Sequence, residues 1–463
     1  MILWTDKTAA EATDGKAQGT WQASRVEIDS RKIQPGDLFV ALKGDNFDGH
    51  DFVEAALAKG AVAAVVSKNV GKTNLLVADT QKALDDLGRY SRARANAKII
   101  GVTGSVGKTS TKEMLRLALS AHGKTYATSG NYNNHIGTPL NLANLPPDTE
   151  FAVFEMGMNH AGEIAHLTKM VRPDIAAITN IEAVHMEFFP SLEAIADAKA
   201  EIFEGLPKNG TAILNADSPQ YAHLRQAAVD EGVSRLESFS EAASAGCRLI
   251  SYRATTSGCA VEADIFGKRL HYTLGAVGKH WALTSLLTLA VTHALGLDDE
   301  KTAKVLAGFS ELDGRGRIIT INRIILIDDS YNASPAAMRA AFAKTVEVWE
   351  ASGKKGRKMA ALGNMLELGP EAPQLHAMLA KDLERNGFDG VFTAGDLMKH
   401  LHEALPEKLR AGHVSKALEL LPLLQKELHA GDILLVKGSH GSKIYELAKA
   451  LQETTGEKQK HAV

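Results

Sequence analysis

An apolar strand, Ile99 to Val102, runs directly into Thr103-Gly104-Ser105-Val106-Gly107-Lys108-Thr109-Ser110, and a helix bearing Met114, Leu115 and Ala118 follows. No other passage constrains the fold as much. Glycines let backbone N–H groups approach phosphate oxygens, and the helix N-terminus adds partial positive charge at that point. Gly104, Ser105, Gly107, Lys108, Thr109 and Ser110 are therefore candidates for nucleotide phosphate binding. Lys108 is suited to the outer phosphates and the Thr109 hydroxyl to Mg²⁺. The spacing departs from the general Gly-x-x-x-x-Gly-Lys-Thr, since the residue five before Gly107 is Val102 and Gly104 sits three before it. A bland Gly-Ser turn is the competing reading; strand, Gly-Lys-Thr and helix in succession outweigh it.

The same strand-then-polar pattern recurs. Phe151–Phe154 runs into Glu155, Ile175–Ile178 into Thr179-Asn180, and Thr211–Leu214 into Asn215-Ala216-Asp217. Strands alternating with helices imply a largely parallel sheet, whose ligands bind beyond the carboxyl ends of the strands. From about Ile318 the theme repeats, with Ile324–Ile327, Met359–Leu362, Val391–Thr393 and Ile433–Val436 each ending in Gly, Asp, Asn, Ser or Lys. At 463 residues the chain exceeds one core, and about 150 residues per domain gives roughly three. The expected units are 1–97, a small α/β domain; 98–317, a parallel-sheet nucleotide domain; and 318–463, a second doubly wound domain.

A net charge of −3 disfavours a general nucleic-acid binder. Cys247 and Cys259 are the only cysteines, which rules out a disulfide framework or a cysteine-rich zinc site. The N-terminus shows no secretory pattern, and no apolar run reaches the ~20 residues of a membrane span. A cytoplasmic protein, without membrane or nucleic-acid partners and monomeric, is the expectation.

Glu155 alone reads as a solvated strand-end acid; beside a phosphate loop in the same sheet it becomes a hard oxygen ligand for Mg²⁺. His185 follows the third strand. Lys199 shares a helical face with Ile195, Ile202, Phe203 and Leu206. A snorkelling lysine is the plain reading. The sharper one is an amine kept near neutral by burial, which reacts with CO₂ to a carbamate and ligates a second Mg²⁺. In the first segment, Asp29-Ser30-Arg31 and Phe47-Asp48-Gly49-His50 read on their own as turn chemistry.

Together these residues resemble the Mur ligase family, over nearly the whole chain and in the family's order. Thr103–Thr109 is similar to that family's phosphate loop, with matching spacings to Glu155, His185 and Lys199. Leu38–Gly44, Asn133-Asn134-His135-Ile136-Gly137-Thr138-Pro139-Leu140, Asp328–Pro335, Leu362–Gly369 and Val436–Ser439 resemble the branch that acts on a UDP-muramoyl tripeptide. The Asp-Asn-Pro-Arg of a sister branch is absent.

The resemblance implies an ATP-dependent, ADP-forming ligase that joins D-alanyl-D-alanine to UDP-N-acetylmuramoyl-tripeptide through an acyl phosphate, in peptidoglycan synthesis. It implies ATP and two Mg²⁺ ions, with Thr109 and Glu155 at one and His185 and Lys199 at the other. Lys108, Lys199 and His185 would be catalytic. His280, Arg315, Asp329 and Asn332 would flank ATP. Asp29, Ser30, Arg31, His50, Asn133, Asn134, Lys437 and Ser439 would bind substrate. Three positions depart from the pattern. His280-Trp281-Ala282-Leu283-Thr284 lacks both asparagines of a His-Asn-x-x-Asn, leaving Trp281 as the alternative stacking partner for adenine; Asn364 replaces an aspartate, and His440 an arginine. The alternatives are another Mur-type or folylpolyglutamate-type ligase, or a nucleotide-dependent switch.

Overall fold

The computed structural model describes residues 1–44, 46–130, 132–182, 187–242, 244–255 and 258–460. Its architecture is α/β, as expected, built on three principal sheets that follow one another along the chain.

The first sheet has five strands in the order Lys16–Gln18, Asn74–Leu76, Ala63–Val66, Asp37–Val40 and Arg25–Glu27. Only the Lys16–Gln18 edge is antiparallel. Asp37–Val40 and Ala63–Val66 are buried at every position, as strands covered on both faces must be. The helix Thr80–Arg94 lies against the short helix Gly137–Ala143, so Leu140 and Ala143 belong to the same core as Leu84 and Leu87.

The central sheet has nine strands. Its heart is β1 (Lys98–Thr103) between β2 (Phe151–Glu155) and β3 (Ile175–Ile178), with β4 (Thr211–Asn215) next to β3, all parallel. Helix α1 (Lys108–Ser120) leaves the carboxyl end of β1, α2 (Leu192–Ala200) follows β3, and α3 (Lys279–Ala294) follows the last strand. One face packs Met114, Leu115, Leu286 and Leu289; the other packs Phe154, Leu167, Ile195 and Phe203. The sheet is not parallel throughout. Cys247–Thr255, Gly258–Ile265 and Lys268–Leu274 extend it as an antiparallel meander, whose alternating burial marks a sheet with one solvated face.

The third sheet has six strands in the order Arg317–Ile321, β5 (Ile324–Asp329), β7 (Ile433–Lys437), β6 (Lys358–Gly363), Gly390–Ala394 and Arg410–Val414. The first pair is antiparallel and the remainder parallel. Helix α4 (Pro335–Ala351) starts at the Ser334 cap, whose hydroxyl accepts the Ala337 N–H. Among the described residues no helix is long and apolar enough to cross a membrane.

Candidate functional site

A cleft of about 630 Å³ lies between the central and C-terminal sheets, at the carboxyl ends of β1 and β2 on one wall and of β5 and β7 on the other. The phosphate loop forms the first wall. Gly104 and Gly107 have φ of +146° and +89°, values that L side chains avoid. A Cβ on Gly104 would come within 1.9 Å of Thr179 Oγ1. The loop is tied to the end of β3: the Thr179 hydroxyl donates to the Val106 carbonyl at 2.6 Å, and Ser105 N–H donates to the Asn180 carbonyl at 2.8 Å. Ser105 Oγ exchanges bonds with the backbone of Glu182 at 3.0 and 3.1 Å. Gly107 caps α1 without a side-chain bond, so the first N–H groups of the helix are left for a ligand. Thr109 and Ser110 are buried in that first turn.

Lys108 folds back on its own loop, donating to the Gly104 carbonyl at 2.7 Å and the Ser105 carbonyl at 3.3 Å. Burial lowers its pKa, Glu155 opposes that, and Arg315 from the opposite wall lowers it further.

Glu155 Oε1 accepts a bond from Asn133 Nδ2 at 2.8 Å, while Oε2 is buried with no hydrogen-bond partner among the described residues. A buried carboxylate oxygen left bare is costly unless something binds it. Together with the Thr109 hydroxyl it makes a hard-oxygen donor set, which fits Mg²⁺. Lys199 is 1% exposed, and none of the described hydrogen bonds or ion pairs involves its ammonium. Burial drives its pKa well below 10.5 and the Lys108 charge adds to this, against a smaller pull from Glu201. An amine in that state is the one that reacts with CO₂. His185 lies outside the described residues.

Arg315, Asp329 and Asn332 line the second wall. The Arg315 guanidinium lies 4.0 Å above the Tyr331 ring. Lys437 is buried and already engaged, 2.7 Å from Asp329 Oδ2 and 2.9 Å from the Asn332 carbonyl. Its ammonium thus ties the carboxyl end of β7 to Asp329 and Asn332. Ser439 Oγ accepts the Leu366 N–H at 3.0 Å and donates to the Ala333 carbonyl at 3.4 Å, so it too holds loops together.

His280 opens onto the cleft at the start of α3; the surrounding walls lower its pKa, and Lys344 and Lys437 add to that. Trp281 also borders the cleft. It is 3% exposed and packs on Phe309, ring centres 5.2 Å apart.

The N-terminal candidates lie apart from this cleft. The Arg31 guanidinium grips Asp29 at 2.9 Å and holds its carboxyl well below the usual range. The Ser30 carbonyl accepts from Lys59. The group borders the central unit where Lys32 Nζ donates to the Tyr132 hydroxyl at 2.8 Å, shortly before Asn133. His50 has both ring nitrogens committed, Nδ1 to Asp48 at 2.6 Å and Nε2 accepting the Ser67 N–H at 2.9 Å. It secures a turn and has no nitrogen left for substrate. Asn134 Oδ1 accepts the Ile136 and Gly137 N–H groups at the start of a helix, which leaves only its Nδ2 for a ligand.

Sequence reasoning missed two buried lysines beside the site. Lys344 on α4 pairs with Glu311 and donates to the Gly316 carbonyl. Lys112 on α1 donates to the Thr128 carbonyl at 2.7 Å and the Gly130 carbonyl at 3.2 Å. The signal that singled out Lys199 was present for both: each shares a helical face with apolar residues, Ala341 and Val348 for Lys344, and Leu115 for Lys112.

Known proteins resemble this chain along nearly its whole length. The profile described as Mur ligase middle domain matches residues 102–292, Mur ligase glutamate ligase domain matches 314–440, and Mur ligase family catalytic domain matches 22–99. The UDP-N-acetylmuramoyl-tripeptide–D-alanyl-D-alanine ligase of Rickettsia prowazekii is 36% identical, over 97% of this chain and 100% of its own. The enzyme of that name from Escherichia coli K12 is 34% identical over 98% and 99%. Among solved structures, MurF from Acinetobacter baumannii superposes with a TM-score of 0.86 at 32% identity, covering 97% of this chain and 99% of that one. MurF from Thermotoga maritima in complex with ADP gives 0.79 at 28%, covering 94% and 98%. Phosphate loop, bare strand-end carboxylate and buried lysine thus occur on a fold and a sequence shared from end to end, and the chain belongs to the Mur ligase family.

Proposed function

We propose that this chain joins D-alanyl-D-alanine to UDP-N-acetylmuramoyl-tripeptide at the expense of ATP, as relatives 30–36% identical over nearly their full length are named for doing. The observation that carries the reading is the cleft wall where an unpartnered buried oxygen of Glu155 lies within the field of Lys108 and the uncapped start of α1.

Amide formation from a carboxylate needs a better leaving group than oxide. The tripeptide carboxylate oxygen attacks the γ-phosphorus of ATP, and the bond from that phosphorus to ADP breaks. The dipeptide amine then attacks the acyl carbon and gives up a proton, and phosphate departs with the former acyl oxygen. Phosphoryl transfer of this kind is mainly positioning and charge neutralisation. The loop N–H groups between Gly104 and Ser110 hold the phosphates. Lys108 turns from its own loop carbonyls to the transferring group. Arg315, Asp329 and Asn332 approach from the other wall, and His280 faces the nucleotide from the start of α3. Thr109 and Glu155 would hold one Mg²⁺, and His185 with a carbamylated Lys199 a second. When bound, the ions neutralise phosphate charge. Asp29, Ser30 and Arg31 are the candidates for the UDP portion, with Asn133 between them and the cleft. Shutting the cleft around three reactants supplies orientation, worth roughly 7–11 kcal/mol in favourable cases, and keeps water from the acyl phosphate. In this reading the enzyme works as a cytoplasmic monomer.

The test is phosphate release with product mass. Purified protein with ATP and Mg²⁺ should release phosphate only when both peptide substrates are present, and the product should be their sum less water. Release that ignores either peptide would leave a hydrolase or a switch instead.

A further inference from the structure

Two consecutive backbone N–H groups at the turn into α3 are each held by a side chain that also bonds to helix α4 of the C-terminal unit. Val277 N–H donates to Glu311 Oε1 at 3.1 Å, and that same oxygen receives Lys344 Nζ. Gly278 N–H donates to the Tyr252 hydroxyl at 2.9 Å, and that hydroxyl donates to Glu347 Oε2 at 2.5 Å. Lys344 and Glu347 are three apart on α4 and so share one face. Glu311 and Lys344 are almost wholly buried, at 6% and 3% side-chain exposure, where an ion pair is screened little. The Val277 side chain is packed in the C-terminal core, and Ala254 lies against that core as well.

Gly278 has φ of +133° and caps α3 without a side chain, so the direction of that helix start is set by what its backbone N–H groups meet. His280, two residues on, faces the cleft. We infer that this double bridge, Glu311–Lys344 and Tyr252–Glu347, positions the α3 turn for the nucleotide and couples its geometry to the seating of the C-terminal unit. The four residues are positioning residues that act through the turn. The inference rests on the reading of the cleft as a nucleotide site. Its consequence is thermodynamic: a nucleotide that favours the aligned turn also favours the seated α4, and by linkage the reverse holds.

The experiment measures ADP–Mg²⁺ affinity by calorimetry on the full chain, with the affinity for the UDP-linked tripeptide as the control. Tyr252→Phe and Glu347→Ala should each weaken ADP binding about three- to tenfold, and the double variant no more than either alone, as residues in one network do. Glu347→Gln, which keeps an acceptor for the Tyr252 hydroxyl, should stay near wild type. Binding of the UDP-linked substrate should not change. Lys344→Met leaves Glu311 buried and unpaired and is liable to fail in folding, so the tyrosine branch decides. ADP affinity within twofold of wild type in both single variants, additive losses, or an equal loss for the UDP-linked substrate would each overturn the coupling. Wild-type protein that binds no nucleotide would instead overturn the cleft reading beneath it.

Discussion

Asn133 Nδ2 donates to Glu155 Oε1 at 2.8 Å, and Glu155 Oε2 is buried with no hydrogen-bond partner among the described residues, both side chains lining the cleft beside the phosphate loop. A carboxylate fixed by one bond and left bare on its second oxygen is prepared for a cation. Glu155→Gln keeps the shape and removes the charge. It should raise the Mg²⁺ concentration needed for half-maximal phosphate release about tenfold or more and cut the rate by on the order of 10²–10³. Asn133→Ala should give a smaller loss with the same Mg²⁺ signature. A Glu155→Gln enzyme with unchanged Mg²⁺ dependence would remove this residue from the metal.

Lys108 rests on the carbonyls of Gly104 and Ser105, so losing its side chain removes two internal bonds but no core packing. Lys108→Ala should keep its circular dichroism and melt cooperatively, while ligation falls by at least about 10²–10³-fold. Near-normal turnover would contradict the role assigned to it.

Gly104→Ala addresses the loop itself. The added methyl would lie 1.9 Å from Thr179 Oγ1 at a φ of +146°, strain that costs of order 1–3 kcal/mol. The expected result is lost ADP binding by calorimetry with a modest fall in melting temperature. Full ADP affinity would show that the loop can open without cost.

Lys199 gives a pH signature. Its folded-state pKa lies well below 10.5, from burial first and Lys108 second. Unfolding restores the ordinary value and takes up a proton. Stability therefore rises with pH from the lowered value up to about 10.5, and the penalty is present in full below the lowered value. Lys199→Met should flatten that rise in melts run without bicarbonate or metal. Separately, Lys199→Ala should lose ligation and regain part of it with a short added carboxylate, which would stand in for a carbamate. A parallel pH profile for wild type and Lys199→Met would argue that the amine is charged and solvated.

Local placement is legible in the sequence. The loop from Thr103 to Thr109 is identified by its own glycines, Glu155 by its strand end, and Lys199 by the apolar face of its helix. Pairings across the fold are not. The residues around His50 read on their own as turn chemistry and only the resemblance offers it to substrate; nothing near it in the chain shows Ser67 closing on its second nitrogen. The resemblance offers Lys437 to substrate, and its pairing with Asp329, on a neighbouring strand more than a hundred residues earlier, is not legible along the chain. Trp281, which the resemblance places toward adenine, borders the cleft and packs its ring on Phe309, a contact the chain does not announce. The antiparallel meander after Cys247 was hidden among parallel signals, since alternation in strands such as Gly258–Ile265 says which face is wet and not which neighbour pairs.

The first sheet does not finish its core with its own residues. Leu140 and Ala143, from beyond the phosphate loop, complete it; Trp4 Nε1 donates to the Ala143 carbonyl at 2.9 Å, and the Asn144 amide bonds both backbone groups of Val26. A polypeptide cut after residue 97 would carry a raw oily face and stranded polar atoms, and would be expected to clump. The first sheet therefore depends on chain at least as far as Asn144, which runs through the glycine loop at 104–107, so sheet and loop are parts of one folding unit that cannot be made separately.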